Sequence, residues 1–205
     1  GALVMDARIG VRRPAGAPRP YQHMAIHPYP SGLVRTIHLQ GDVEATLRPI
    51  RPEDAAIESA FVHSLSEQSK FLRFMFTLHD LSPGMLSRFT QIDYDRELAL
   101  VATVPTADGE EQIGVARYIT LEDEETCEFA IVVGDRWQGK GLARQLFAAL
   151  IEAARATPLR VMMGVTLREN TRMLDLARAS GFRVQSDEDD PSLVQMILNL
   201  KEGAS

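Results

Sequence analysis

The stretch Val133-Gly134-Asp135-Arg136-Trp137-Gln138-Gly139-Lys140-Gly141-Leu142-Ala143 decides the fold. It is entered by an apolar run, Cys127 to Val133 (CEFAIVV). It is left by Leu142 to Ala156, where Leu142, Leu146, Leu150, Ala153 and Ala154 form one helix stripe. A strand that passes through glycines straight into a helix leaves backbone N–H groups unpaired at the helix start, and glycine lets an anion approach them closely. The segment predicts a cradle for a phosphate or pyrophosphate, set against the plainer reading of a strand-to-helix turn. Two other nucleotide motifs fail here. Gly134-x-x-x-x-Gly139-Lys140 fits most of a P-loop, but Gly141 stands where a Ser or Thr would hold magnesium. The three-glycine dinucleotide fingerprint and its repeated parallel units are missing.

Upstream, Glu97 to Val104, Gln112 to Leu121 and Cys127 to Val133 read as a three-stranded antiparallel meander, with Asp108-Gly109 in the first turn. Before it, Glu44 to Ile50 is a strand. Arg51-Pro52-Glu53-Asp54 opens a helix with proline and acids where a helix start favours them, carrying Ala56, Ile57, Ala60, Phe61 and Leu65 at helical spacing. Further helices are expected around Phe71 to Phe76, with Phe71, Phe74, Met75 and Phe76 as core or as one wall of a substrate groove, and from Pro83 to Ile92. Downstream come a strand, Leu159 to Leu167, a helix, Asn170 to Ser180, closed by Gly181, and two short strands near Phe182-Arg183-Val184 and Leu193 to Leu200.

The 205 residues suffice for one domain with a surplus, and 45% hydrophobic with 24% charged residues is an ordinary globular balance. The surplus sits at the front. Residues 11–20 (VRRPAGAPRP) are too rich in proline, glycine and arginine to pack a core and read as linker, and His27-Pro28-Tyr29-Pro30 is extended by its prolines. With 22 basic against 28 acidic residues the net charge is −6, which argues against a nucleic-acid binder. No apolar run is long enough for a membrane span, and the single cysteine, Cys127, excludes a disulfide framework and suits a reducing cytoplasm. Of the five histidines only His23 and His27 stand at H-x-x-x-H spacing, with no third ligand in a motif beside them, and no metal site is expected. Cys127 is read as a buried strand thiol rather than an acyl-carrying nucleophile, since no histidine adjoins it.

Arg136-x-x-Gly139-x-Gly141 resembles the Q/R-x-x-G-x-G/A signature of the GNAT acetyltransferases, and Asn170 followed by Gly181-Phe182 resembles the second half of that family's CoA site. The order of elements over roughly residues 44–200 is similar throughout. A narrower likeness runs through Leu47-Arg48-Pro49-Ile50-Arg51-Pro52-Glu53-Asp54, Ser64-Leu65-Ser66-Glu67, Phe71-Leu72-Arg73-Phe74 and Gln91-Ile92-Asp93-Tyr94-Asp95-Arg96-Glu97. These stretches are similar to the GNAT domain of large bacterial protein lysine acetyltransferases, in which it follows an acyl-CoA-ligase-like region ending in an ATP-grasp module. The start at Gly1-Ala2-Leu3, without Met, then reads as a cut from a larger multidomain chain. Residues 1–41 become linker and remnant of the preceding domain, and residues 42–205 the GNAT domain.

The resemblance implies an α/β (α+β) fold with a mixed, mostly antiparallel central sheet of six to seven strands and about four flanking helices. It implies acetyl-CoA as co-substrate, held by Ile131, Val132 and Val133 on the strand, by Arg136, Gln138, Gly139, Lys140, Gly141, Leu142 and Ala143 around the loop, and by Asn170 and Met173. It places the general base, where a carboxylate serves, on the strand before the loop, and Glu128 is the carboxylate there; the plainer reading is a solvent-facing strand glutamate. Glu122 and Glu125, in the preceding turn, are weaker candidates. A backbone N–H near Val132 or Val133 would meet the thioester oxygen. Many family members carry a tyrosine seven residues after the asparagine to protonate the departing thiolate, but that position here is Ala177. The implied partner is a protein with an exposed lysine, such as an acyl-CoA synthetase. A small-molecule amine acetyltransferase and a non-catalytic CoA-binding sensor are the alternatives.

Overall fold

The computed structural model describes residues 27–202. The expected linker at 11–20, like the rest of residues 1–26, lies outside the described residues. An eight-stranded sheet carries the fold in the order β1-β2-β3-β4-β5-β6-β8-β7. The strands are β1 (Arg35–Leu39), β2 (Val43–Pro49), β3 (Glu97–Thr106), β4 (Gly109–Thr120), β5 (Thr126–Val133), β6 (Val161–Leu167), β7 (Arg183–Ser186) and β8 (Leu193–Asn199). All neighbours are antiparallel except β5 and β6. The helices are α1 (Ala55–Ser64), α2 (Glu67–Phe74), α3 (Pro83–Thr90), α4 (Leu142–Arg155) and α5 (Thr171–Ala179). The mixed, mostly antiparallel sheet is the expected one, with eight strands instead of six or seven and five helices instead of about four among the described residues.

The added strand is β1. Ile37 and Leu39 alternate inward and are buried, so the sheet begins ahead of the expected start at Asp42. The preceding turn docks as well, with Tyr29 donating its hydroxyl to Pro49 O (3.1 Å) and meeting Tyr94 edge-on.

Helices cover both faces of the sheet. On one face α4 and α5 bury Leu142, Leu146, Phe147, Leu150 and Leu174 against Phe129, Met162 and Met196. On the other, α1, α2 and α3 pack Phe61, Val62 and Leu65, with partly buried Phe74 and Met85, over Ile50, Val101 and Val115. The Arg48 guanidinium, buried, grips Asp54 through two bonds (2.6 and 2.8 Å) and Glu110 through a third (2.7 Å), which holds its charge more firmly than an ordinary arginine. Asp54 also accepts from Arg51 N, so the charged residues of the LRPIRPED stretch fix where α1 begins. At the other end of the molecule, Gly181 (φ 88°) closes α5 with Phe182 N bonded to Ala177 O and Gly181 N to Arg178 O.

Two features of β5 and β6 position the site. Their pairing stops after three residues, Thr126 to Glu128 against Val161 to Met163, so the strands fork. Where the fork opens, the Phe129 ring lies against Gly164, so that a Cβ at Gly164 would sit 2.6 Å from Phe129 Cε1. Phe147 and Phe182 enclose the ring at 4.8 and 5.2 Å between centroids, so it has nowhere to retreat. Gly164→Ala should destabilise the fold by about 1–3 kcal/mol, read as a lowered denaturant midpoint at unchanged slope. An unchanged midpoint would mean the cluster is loose.

Candidate active site

β5 ends in a loop with one short 3-10 turn, Asp135–Trp137, and re-enters regular structure at Leu142. Gly139 (φ 75°) and Gly141 (φ 85°) are left-handed, a conformation that costs other residues about 1–2 kcal/mol. A Cβ at either would meet nothing within 4 Å, so the glycines border open space. Gly141 caps α4 without a side-chain bond, and the first loop-to-helix bond is Gln145 N to Gly141 O. Among the described residues none of the N–H groups from Gly139 through Arg144 has an acceptor. Six consecutive free donors at a helix N-terminus form the cradle that the glycine spacing predicts, and a pyrophosphate fits it.

The loop is held from three sides. Gln40 N donates to Lys140 O (3.1 Å), and Gln145 Nε2 to His38 O (2.8 Å), so β1 braces it from below. Asp135 accepts from Ser66 N (2.8 Å), Ser66 Oγ (2.9 Å) and Ser69 Oγ (2.7 Å), tying the loop to the first turn of α2. Burial pushes that carboxyl up, but these bonds outweigh it and hold it below the usual range. Gln138 accepts from Arg172 Nη1 on α5 (2.6 Å). Arg136 pairs with Glu111, while Lys140 Nζ lies 4.8 Å over the Trp137 ring. Trp137 Nε1 is buried with no partner among the described residues.

The fork runs from this cradle to Glu128. Gly134 N bonds Ile113 O and Leu121 N bonds Thr126 O, so the even-numbered residues of β5 address β4 and the odd-numbered ones face β6. Beyond Glu128 that side has no partner strand, which leaves the N–H and C=O of Ile131 and Val133 open to the fork. Of the N–H groups expected near Val132 or Val133 to meet the thioester oxygen, that of Val132 is turned to β4, while those of Val133 and Ile131 face the fork. Val133 O receives a long contact from Gln138 Nε2 (3.4 Å). From Val133 to Glu128 is about 17 Å along the strand, the reach of an extended pantetheine arm.

Glu128 is exposed on the face covered by α1–α3, on the same face as Ala130 and Val132; it stands opposite Ile119 on β4, with Arg117 opposite Ala130. Glu122 and Glu125 lie beyond the closed end of the fork, where Glu125 pairs with Arg160 (3.6 Å). No group of three or more His, Cys, Asp or Glu side chains among the described residues is arranged to hold a metal.

A family model of the acetyltransferase (GNAT) domain matches residues 44–183. The chain belongs to the GNAT acetyltransferases. An acetyltransferase of Pseudomonas aeruginosa is 38% identical over 149 residues, 72% of this chain and 80% of that protein. Among solved structures, the GNAT domain of S. lividans PAT superposes with a TM-score of 0.76 at 26% identity, over 84% of this chain and 99% of that one. The fold is also that of yncA from Salmonella typhimurium, solved with its cofactor acetyl-CoA (TM-score 0.59, 21% identity, 78% of this chain and 96% of that one). This GNAT enzyme is an acyltransferase with acetyl-CoA as co-substrate.

Within the GNAT site the remaining expected residues take differing places. Leu142 is buried and offers only its main chain, whereas Ala143 and Met173 border the core. Asn170 caps α5, accepting from Met173 N (3.3 Å) and donating to Thr166 Oγ1 (2.9 Å), so its side chain is already committed. Ala177, on the inner side of α5, is fully buried. Cys127 is buried too, and burial pushes its thiol up to about 12, which keeps it from acting as a nucleophile.

The reading of Phe71, Met75 and Phe76 as core is corrected: they are 42%, 39% and 50% exposed, because α2 ends at Met75 (φ 63°) and the chain turns outward there. Sequence reasoning missed Ser66, Ser69 and Arg172 as supports of the cradle, and gave no role to Asp135. The only local signal was a Ser with N-cap character, Ser66, ahead of α2.

Proposed function

We propose that the chain acetylates the Nε-amine of a lysine in a target protein by direct attack on the thioester, with Glu128 as general base. A lysine of pKa about 10.4 is neutral in only about one molecule in 2,500 at pH 7, a handicap of about 4.6 kcal/mol. Glu128 stands at the closed end of the fork, where an arm anchored in the cradle ends, and it takes the amine's proton directly or through one water. The main-chain N–H of Val133 or Ile131 takes up the charge that develops on the thioester oxygen. The thiolate leaves without a tyrosine acid, since a thiol of pKa about 8.5 is a competent leaving group near neutrality.

The observation that carries the protein-acceptor reading is the openness of this face. Glu128 is solvent-exposed, and the neighbouring α2 and the turn after it present Phe71, Met75 and Phe76 outward, a surface suited to a folded partner rather than a deep slot for a small amine. The likeness to the GNAT domain of S. lividans PAT supports it. Incubating the protein with acetyl-CoA and candidate acyl-CoA synthetases, followed by mass spectrometry, should show one acetylated lysine on a synthetase. Turnover of small amines with no acetylated protein would overturn the reading.

A further inference from the structure

The face that bears Glu128 also holds two guanidinium groups that acetyl transfer does not use. Arg117 stands opposite Ala130, two register positions from the Ile119–Glu128 pair and so on the same face, a diagonal separation of about 7–8 Å. It is buried, lies 4.6 Å over the Phe89 ring and donates Nη2 to Phe89 O (2.8 Å). Arg73, from the last turn of α2, is partly buried with its guanidinium 4.9 Å over the Phe74 ring, and Phe74 stacks on Phe89 (6.2 Å between centroids), the ring that lies under Arg117. It has no hydrogen-bond acceptor among the described residues, although a guanidinium carries five donors. Burial first, then the charge of Arg117, pull Arg73 down to about 10, against the opposing pull of Glu58 and Glu128.

The charges here do not balance during the reaction. Glu58 is engaged by Gln112 Nε2 at 2.5 Å, and burial raises its carboxyl toward the neutral form. Glu128 loses its charge when it takes the acceptor's proton. Two arginines, Arg117 buried and Arg73 partly buried, then share this face with less negative charge to oppose them, and Arg73 has an empty fork of donors.

We propose that Arg73 is the acceptor-recognition residue, and that the acceptor brings a carboxylate close to its reactive amine for Arg73 to bind. This rests on the acceptor approaching Glu128 as described above. Arginine matches a carboxylate through paired N–H donors, and such a charged bond strengthens when water is displaced. The carboxylate has two possible sources: an acidic side chain beside the acceptor lysine of a protein, or the α-carboxylate of a free amino acid.

The test compares kcat/KM at saturating acetyl-CoA for the wild type, Arg73→Gln and Arg73→Lys. The acceptors are lysine peptides with Asp, or Asn in its place, at one of the two positions on either side of the lysine, together with a free amino acid and its amide. The wild type should prefer the Asp peptide by about 10- to 100-fold, the worth of one charged hydrogen bond. Arg73→Gln should erase that preference with the Asn peptide and the KM for acetyl-CoA little changed, and Arg73→Lys should restore only part of it. A wild type indifferent to every carboxylate overturns the inference while leaving protein acetylation standing, and needs no variant to fold. Equal slowing of both peptides by Arg73→Gln also overturns it. A preference seen only between the free amino acid and its amide supports Arg73 as the carboxylate contact and instead overturns the protein acceptor.

Discussion

Glu128→Gln is expected to lower kcat about 10²–10⁴-fold and to leave the Kd for acetyl-CoA within about twofold. The amide keeps the size of the side chain on an exposed strand position, so the fold has no reason to change. It also lies at the paired end of β5, away from the six unpaired donors proposed to take the pyrophosphate. What is lost is the proton acceptor. The variant should recover as pH rises, by about tenfold per pH unit between about pH 7 and 9, because the neutral fraction of the lysine grows by that factor. The wild type should respond less steeply. A variant that keeps wild-type kcat at pH 7 removes Glu128 from the chemistry.

Gly141→Val is expected to weaken acetyl-CoA binding by about 100-fold or more, at a small cost to stability. Gly141 sits at φ 85° and ψ −2° as the cap of α4, and a β-branched residue is among the least able to hold that conformation. Local strain of about 1–2 kcal/mol follows if the backbone holds, and loss of the aligned N–H groups if it relaxes. The added side chain clashes with nothing in the protein, since a Cβ there has no neighbour within 4 Å. It occupies the space in front of the cradle instead. Calorimetric titration with acetyl-CoA and thermal unfolding without it separate the two effects. A variant that binds normally would place the pyrophosphate elsewhere.

The cradle and α4 were legible because their signals are local: glycines within three residues of each other and an apolar stripe at helical spacing. The meander was legible for the same reason, since β3, β4 and β5 are joined by turns and pair in sequence order. β1 was not, because five residues with only Ile37 and Leu39 buried look like the continuation of a proline-rich linker. The fork was hidden as well, since it depends on where a parallel pair stops. The Asp135 bonds to Ser66 and Ser69 span 66 to 69 residues, and Arg73 is brought toward Arg117 only by the packing of Phe74 on Phe89. By contrast, the Arg48–Asp54 pair spans six residues and lies within a stretch already singled out by its likeness to protein acetyltransferases.

The structure of the protein with acetyl-CoA bound tests the central claim most directly. The pyrophosphate should lie on the N–H groups between Gly139 and Arg144, the pantetheine should bond the free main-chain groups of Ile131 and Val133, and the thioester should reach the face of Glu128. A thioester that ends on the other face of the sheet, or a pantetheine that runs outside the fork between β5 and β6, would contradict the account.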